Sequence, residues 1–154
     1  MCLDLSKAFD SVDHSKLLRR IDLYGIRGNV KELIRSYLSC RTQQVVQSDQ
    51  HGKNIISEKI MVSKGVPQGS ILGPLLYILY TNKLPEISGE QTVLYADDAA
   101  LVFSGDSSEE MTRGVHSALG VLDGYFRSSG LLLNLSKTQS VLFGNRLNND
   151  FVCI

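Results

Sequence analysis

The sequence predicts an α+β fold, a small antiparallel sheet with helices packed on one face, and three observations carry that prediction. Short alternating or apolar runs recur at residues 1–6, 42–47, 55–62 and 93–103, which is strand patterning. Between and after them lie apolar stripes at helical spacing. The strands fall into hairpins around polar turns, with no repeating strand–helix–strand unit, so their pairing is antiparallel. At 154 residues the chain has the length of one domain with a real core.

Each element has a local cause. Met1–Ser6 alternates, with Leu3 and Leu5 to one side and Cys2, Asp4 and Ser6 to the other. Asp13 caps a helix over Ser15–Tyr24, whose Leu17, Leu18, Ile21 and Tyr24 form one stripe, and Gly25 stops it. A second helix runs from about Asn29, with Val30, Leu33, Ile34, Tyr37 and Leu38 on its apolar face. Thr42–Gln47 and Ile55–Val62 read as a hairpin around Ser48–Asn54. The glycine-bounded loop Gly65–Ser70 leads into Ile71–Tyr80, apolar nearly all round and expected to be buried on most faces, with Pro74 tolerable near its start. Ser107 and Glu110 form a capping box before a long helix with Met111, Val115, Ala118, Leu119, Leu122 and Phe126 on one face, ended by Gly130. Leu131–Leu135 and Ser140–Phe143 read as a last short hairpin, and the Asn-rich tail as loose up to Phe151.

Composition excludes several classes. With 43% hydrophobic and 21% charged residues the chain is globular rather than disordered. Its longest apolar run, Ile71–Tyr80, is too short for a bilayer and is interrupted by Gly73 and Pro74, and no signal peptide follows Met1. The expected location is inside the cell, nucleus or cytoplasm, neither secreted nor in a membrane. Cys2, Cys40 and Cys153 are odd in number and widely spaced, as are His14, His51 and His116, so neither a disulfide framework nor a His/Cys metal site is expected. Net charge is zero, but residues 1–41 carry eight Lys or Arg against five acids (+3), and the remainder eight against eleven (−3). That asymmetry permits a nucleic-acid backbone across the first part without requiring one.

The chemistry concentrates in Val93–Phe103, where Asp97 and Asp98 interrupt an apolar run between two strand-like segments, at the tip of a tight hairpin. Two carboxylates side by side repel, and a divalent cation relieves the repulsion. Mg²⁺ takes one or two carboxylates together with waters and substrate phosphates. An Asp pair in a turn is more often plain solvated turn chemistry; a third acid in the same setting, Asp4, shifts the balance.

Taken in order, Leu3-Asp4-Leu5-Ser6-Lys7-Ala8-Phe9-Asp10-Ser11-Val12-Asp13-His14, Gly65-Val66-Pro67-Gln68-Gly69-Ser70 with Leu72–Leu76, and Tyr95-Ala96-Asp97-Asp98 resemble the three catalytic motifs of a reverse transcriptase palm. The likeness is greatest to the non-long-terminal-repeat, LINE-type retrotransposon branch and covers nearly the whole chain. It implies an RNA-directed DNA polymerase, a nucleotidyltransferase acting with an RNA template, a DNA primer and deoxynucleoside triphosphates. It implies Asp4, Asp97 and Asp98 as catalytic carboxylates and ligands of two Mg²⁺ ions, for which Mn²⁺ can substitute, with the Leu5 carbonyl as an extra ligand. One ion would activate the primer 3′-hydroxyl and the other hold the triphosphate. The resemblance places Phe9 beneath the incoming sugar, Gln68 and Gly69 against nucleotide and template, and Lys137 near the leaving group. Without the motifs, Phe9 reads equally as an aromatic closing the core, Gln68 and Gly69 as an ordinary loop, and Lys137 as a solvated turn lysine.

Residues 1–154 are thus expected to be a palm lacking most of the fingers and all of the thumb, a piece of a larger retrotransposon polyprotein, with weak or undetectable synthesis by the isolated chain. Two alternatives stand beside this. One is a related palm polymerase, of group II intron type or RNA-directed RNA polymerase type, though the bulk of Phe9 opposes ribonucleotide use. The other is a non-catalytic relic that binds RNA, although no basic–aromatic sheet face stands out.

Overall fold

The structure, a computed structural model, describes residues 1–143; the expected loose tail, with Phe151 and Cys153, lies outside the described residues. A three-stranded antiparallel sheet in the order β1 (Cys2–Leu3), β7 (Asp98–Val102), β6 (Gln91–Tyr95) forms the platform. Leu3 lies across from Ala99, and Leu94 and Tyr95 across from Ala99 and Asp98. Alternation sorts the faces: Leu3, Leu5, Ala99 and Leu101 are buried, while Val93, Tyr95, Asp98 and Val102 on the opposite face are exposed. The expected α+β layering is therefore present, with one sheet face joined to the helical core and one open.

Helix α1 (His14–Leu23) begins where Asp13 accepts from the Lys16 amide at 2.9 Å and ends before Gly25, which takes φ +79°. It packs Leu17 and Ile21 into the core against α3 (Leu72–Thr81). Helix α2 (Gly28–Leu38) buries only part of its expected stripe. Leu38 is inside and Ile34 and Tyr37 are half-buried, but Val30 and Leu33 are exposed, because the helix packs chiefly on α1, to one side. The first expected hairpin forms as two offset pieces, β2 (Thr42–Gln43) with β5 (Ile60–Met61) and β3 (Val46–Ser48) with β4 (Asn54–Ile56). Thr42 pairs with Met61 but Val46 with Ile56, so the register slips by one residue, and Ser57 bridges the slip by accepting from the Val45 amide at 2.9 Å.

Three expectations are corrected. Helix α3 is not buried all round: Gly73, Leu76, Tyr77 and Tyr80 face the core, whereas Ile71, Leu75 and Ile78 lie on an exposed face. Its apolar composition records a lack of charge, not four covered sides. A short helix α4 (Leu84–Ser88), opened by Pro85 near its start and closed by Gly89 at φ +67°, packs on β6 without having been foreseen. Leu131–Leu135 and Ser140–Phe143 do not form a hairpin with each other. Leu133 instead pairs antiparallel with Leu5 and Gln139 with Cys2, so residues 131–139 line the free edge of β1 around a turn at Leu135–Lys137.

Helix α5 (Ser108–Ser129) is capped by Ser107, which accepts from the Glu110 amide at 3.2 Å, and ends at Gly130, φ +72°. The Glu110 carboxylate accepts from the Asp106 amide rather than from Ser107. Ala118, Leu122, Tyr125 and Phe126 are its core face. Arg20 on α1 ties three helices together: its guanidinium lies 4.4 Å from the Tyr80 ring centre and donates to Tyr125 Oη at 2.9 Å and Ser129 Oγ at 2.6 Å. Among the described residues no helix is long and apolar enough to cross a membrane.

Candidate active site

The three acidic positions lie at one end of the sheet. The pairing of β1 with β7 ends at Leu3–Ala99, so Asp4, the residue after Leu3, and Asp98, the residue before Ala99, flank the last pair of the ladder. By the alternation that buries Leu3, Leu5 and Ala99, Asp4, half-buried, and Asp98, exposed, belong to the open face of the platform. The turn itself is Ala96-Asp97, with Asp98 already the first residue of β7 and paired with Tyr95. The doublet is therefore split, one acid in the turn and one on the strand.

On its other edge the first segment is held by Asn134, whose amide donates to the Asp4 carbonyl at 2.8 Å, and by Leu132, whose carbonyl accepts from the Ser6 amide at 2.8 Å. This pattern makes Leu5 and Leu133 a non-hydrogen-bonded pair, which turns the Leu5 backbone groups toward the β7 side and the acidic turn. Lys137 is exposed in the turn beside Asp4, next to Thr138, whose hydroxyl accepts from the Asp4 amide at 3.5 Å. The lysine least tied to the rest by sequence thus sits one turn from the first acid.

Two of the three non-glycine residues with left-handed φ among the described residues flank the acids, the third being Cys40. Lys7 and Ala96 both take left-handed φ, +48° and +52°, one just after the first acid and one just before the doublet. Such conformations are unfavourable for residues with a Cβ and persist where surrounding structure enforces them.

The donor set is all oxygen, which suits a hard cation such as Mg²⁺. The backbone positions converge, but among the described residues no three His, Cys, Asp or Glu side chains form a group that could hold a metal ion.

The glycine loop docks onto the first motif rather than standing free. Gly65 donates to the Val12 carbonyl at 2.7 Å, Val66 to the Phe9 carbonyl at 2.9 Å, and His14 Nε2 to the Gly65 carbonyl at 2.7 Å. A Cβ on Gly65 would lie 2.8 Å from the Asp10 α-carbon, so only glycine permits this approach. Gln68 Nε2 donates to Asp10 Oδ1 at 2.9 Å. Gly69, at φ +77°, turns the loop into α3. Phe9 is partly buried and its ring stacks on Tyr77, centroids 4.6 Å apart at 27°. Three cations that the sequence did not single out lie beside these segments. Lys7, Arg41 and Lys64 line a groove of about 450 Å³ with Asp10 and Gln68. Arg41 and Lys64 flank the exposed hairpin at either end, a symmetry visible in the sequence only once the strand pairing is known.

An open-faced antiparallel platform, acids at the adjoining ends of two neighbouring strands and a glycine loop docked on the first motif define an α+β polymerase palm. The reverse transcriptase (RNA-dependent DNA polymerase) family model matches residues 1–150, and the chain belongs to that family. It is 32% identical over 155 residues to the probable RNA-directed DNA polymerase from transposon BS of Drosophila melanogaster, covering 92% of this chain and 16% of that protein. It is 30% identical over 152 residues to the RNA-directed DNA polymerase from mobile element jockey of the same species, covering 94% and 16%. It is 29% identical over 146 residues to the retrovirus-related Pol polyprotein from type-1 retrotransposable element R2 of Popillia japonica, covering 90% and 23%. These relatives place it in the non-long-terminal-repeat, LINE-type group. The chain spans less than a quarter of the length of each of them.

Proposed function

We propose that this chain is the palm of an RNA-directed DNA polymerase that adds deoxynucleotides to a primer 3′-hydroxyl on an RNA template, working as one part of a longer retrotransposon protein. The observation that supports the reading is the pairing of β1 on β7, which ends at Leu3–Ala99 and so leaves Asp4 and Asp98 on either side of its last pair, next to the turn that holds Asp97. Phosphoryl transfer needs positioning and charge neutralisation more than an elaborate base, and carboxylates on paired strands meet that need. Asp4, Asp97 and Asp98, with the Leu5 carbonyl, are the groups to hold two Mg²⁺ ions, or Mn²⁺. When bound, the ions supply activation of the hydroxyl and neutralisation of the triphosphate. Phe9 lies under the sugar and excludes a 2′-hydroxyl, Gln68 and Gly69 contact nucleotide and template, and Lys137 stands near the leaving group.

Thermal unfolding with and without millimolar Mg²⁺ or Mn²⁺ tests the metal site, because a ligand that binds only the folded state raises its stability. The midpoint should rise for the natural chain and not for Asp97→Asn. In metal-free buffer Asp4→Asn should be neutral or slightly stabilising, since it removes a like charge at the same end of the sheet as Asp97 and Asp98. No metal response in the natural chain, combined with RNA binding, would favour the non-catalytic relic. Template extension by the isolated chain should be weak or undetectable, and robust synthesis would show that the segment needs nothing outside itself.

A further inference from the structure

We infer that Tyr77 is a positioning residue whose ring stack holds Phe9 at the height where it meets the incoming sugar, so that Tyr77 sets deoxy-over-ribonucleotide selection. The inference rests on the reading of Phe9 given above.

The two rings are stacked at 4.6 Å, and both are anchored through backbone. The Phe9 carbonyl is held by the Val66 amide at 2.9 Å. Tyr77 rides on α3, whose first turn is pressed on the loop: a Cβ on Gly73 would lie 2.6 Å from the Pro67 carbonyl oxygen. The backbone of each ring-bearing residue is thus fixed against the loop Val66–Pro67. Tyr77 is only 1% exposed, so its ring forms a fixed floor under the half-buried Phe9.

The hydroxyl supplies a control for the stack. Among the described residues, Tyr77 Oη is the one buried side-chain polar atom with no hydrogen-bond partner. A desolvated, unpaired hydroxyl is unfavourable, so packing alone would favour phenylalanine at this position. Burial pushes the phenol well above its ordinary pKa of 10.0, and the Asp97 charge adds in the same direction. Without the ring beneath it, Phe9 can sink toward the core and open room for a 2′-hydroxyl. Discrimination of that kind depends on small differences in how closely a site fits one substituent.

The test is a titration of the whole chain, in Mg²⁺, with dATP and separately with ATP, followed by the aromatic resonances of Phe9 and by affinity. The natural chain should prefer dATP. Tyr77→Leu, and Tyr77→Met should leucine fail to fold, should reduce that preference about tenfold, while Tyr77→Phe, which keeps the stack, should retain it. Phe9→Ala should remove the preference, and adding Tyr77→Met to it should change nothing more. A folded Tyr77→Leu or Tyr77→Met chain with the natural preference would overturn the inference, as would a Tyr77→Phe chain that loses it. A natural chain that binds dATP and ATP equally well would instead overturn the reading of Phe9 on which the inference stands.

Discussion

Gln68 Nε2 donates to Asp10 Oδ1 at 2.9 Å, joining the glycine loop to the first motif across 58 positions of sequence. An ionised carboxylate only accepts, so the amide nitrogen must face it and the amide oxygen is left for other partners. Gln68→Glu sets two carboxylates against each other. The expected loss is about 0.5–1 kcal/mol near neutral pH, at the lower end for a hydrogen bond because the pair is exposed. Denaturant unfolding should show the deficit shrinking once acid protonates the pair.

Gly65 makes a sharper prediction. Its φ of +85° and the 2.8 Å approach to the Asp10 α-carbon leave no room for a side chain, so Gly65→Ala should destabilise by about 2 kcal/mol or more. Gly25 has a similar φ, +79°, but open space around it, and Gly25→Ala should cost only about 1–2 kcal/mol of left-handed strain. Thermal midpoints of the two variants, measured side by side, separate steric contact from backbone conformation.

Asp13 links acid pH to helix α1. The Lys16 amide holds its carboxyl below the ordinary 3.8, so the folded chain prefers the ionised form more than the unfolded chain does. The resulting stability is present above the unfolded value and is lost as pH falls through the folded one. Asp13→Ala should cost about 0.5–2 kcal/mol at pH 7, typical of a lost cap, and the gap between variant and natural chain should narrow below about pH 4.

The alkaline limit has the opposite sign. Burial raises the phenols of Tyr77, Tyr80 and Tyr125 above their ordinary 10.0, so the folded chain holds these protons more tightly than the unfolded chain. Their contribution is complete below pH 10 and disappears as pH climbs beyond it. Unfolding midpoints should fall steeply above about pH 10. Tyr80→Phe and Tyr125→Phe should each lessen that steepness, while weakening the neutral-pH fold through loss of the Tyr80 hydroxyl bond to the Ser129 carbonyl and the Arg20 bond to Tyr125.

The sequence by itself determined whatever depends on neighbours a few residues apart. The Asp13 cap, the Ser107 cap and the glycine stops at Gly25 and Gly130 obey local rules and stand where patterning put them, as does the hairpin itself, except that Asp98, expected at its tip beside Asp97, is the first residue of β7. The motif segments, and with them the family, were equally legible, because their chemistry requires fixed residue types in a fixed order. Tertiary structure alone decided which edge receives which strand. Leu131–Leu135 is apolar whether it pairs with Ser140–Phe143 or with β1, and hydrophobicity asks for burial without naming a partner. The exposed sides of α2 and α3, and the grouping of Lys7, Arg41 and Lys64 in one groove, belong to the same class. These depend on contacts between segments tens to more than a hundred residues apart, and no periodicity along the chain records such distances.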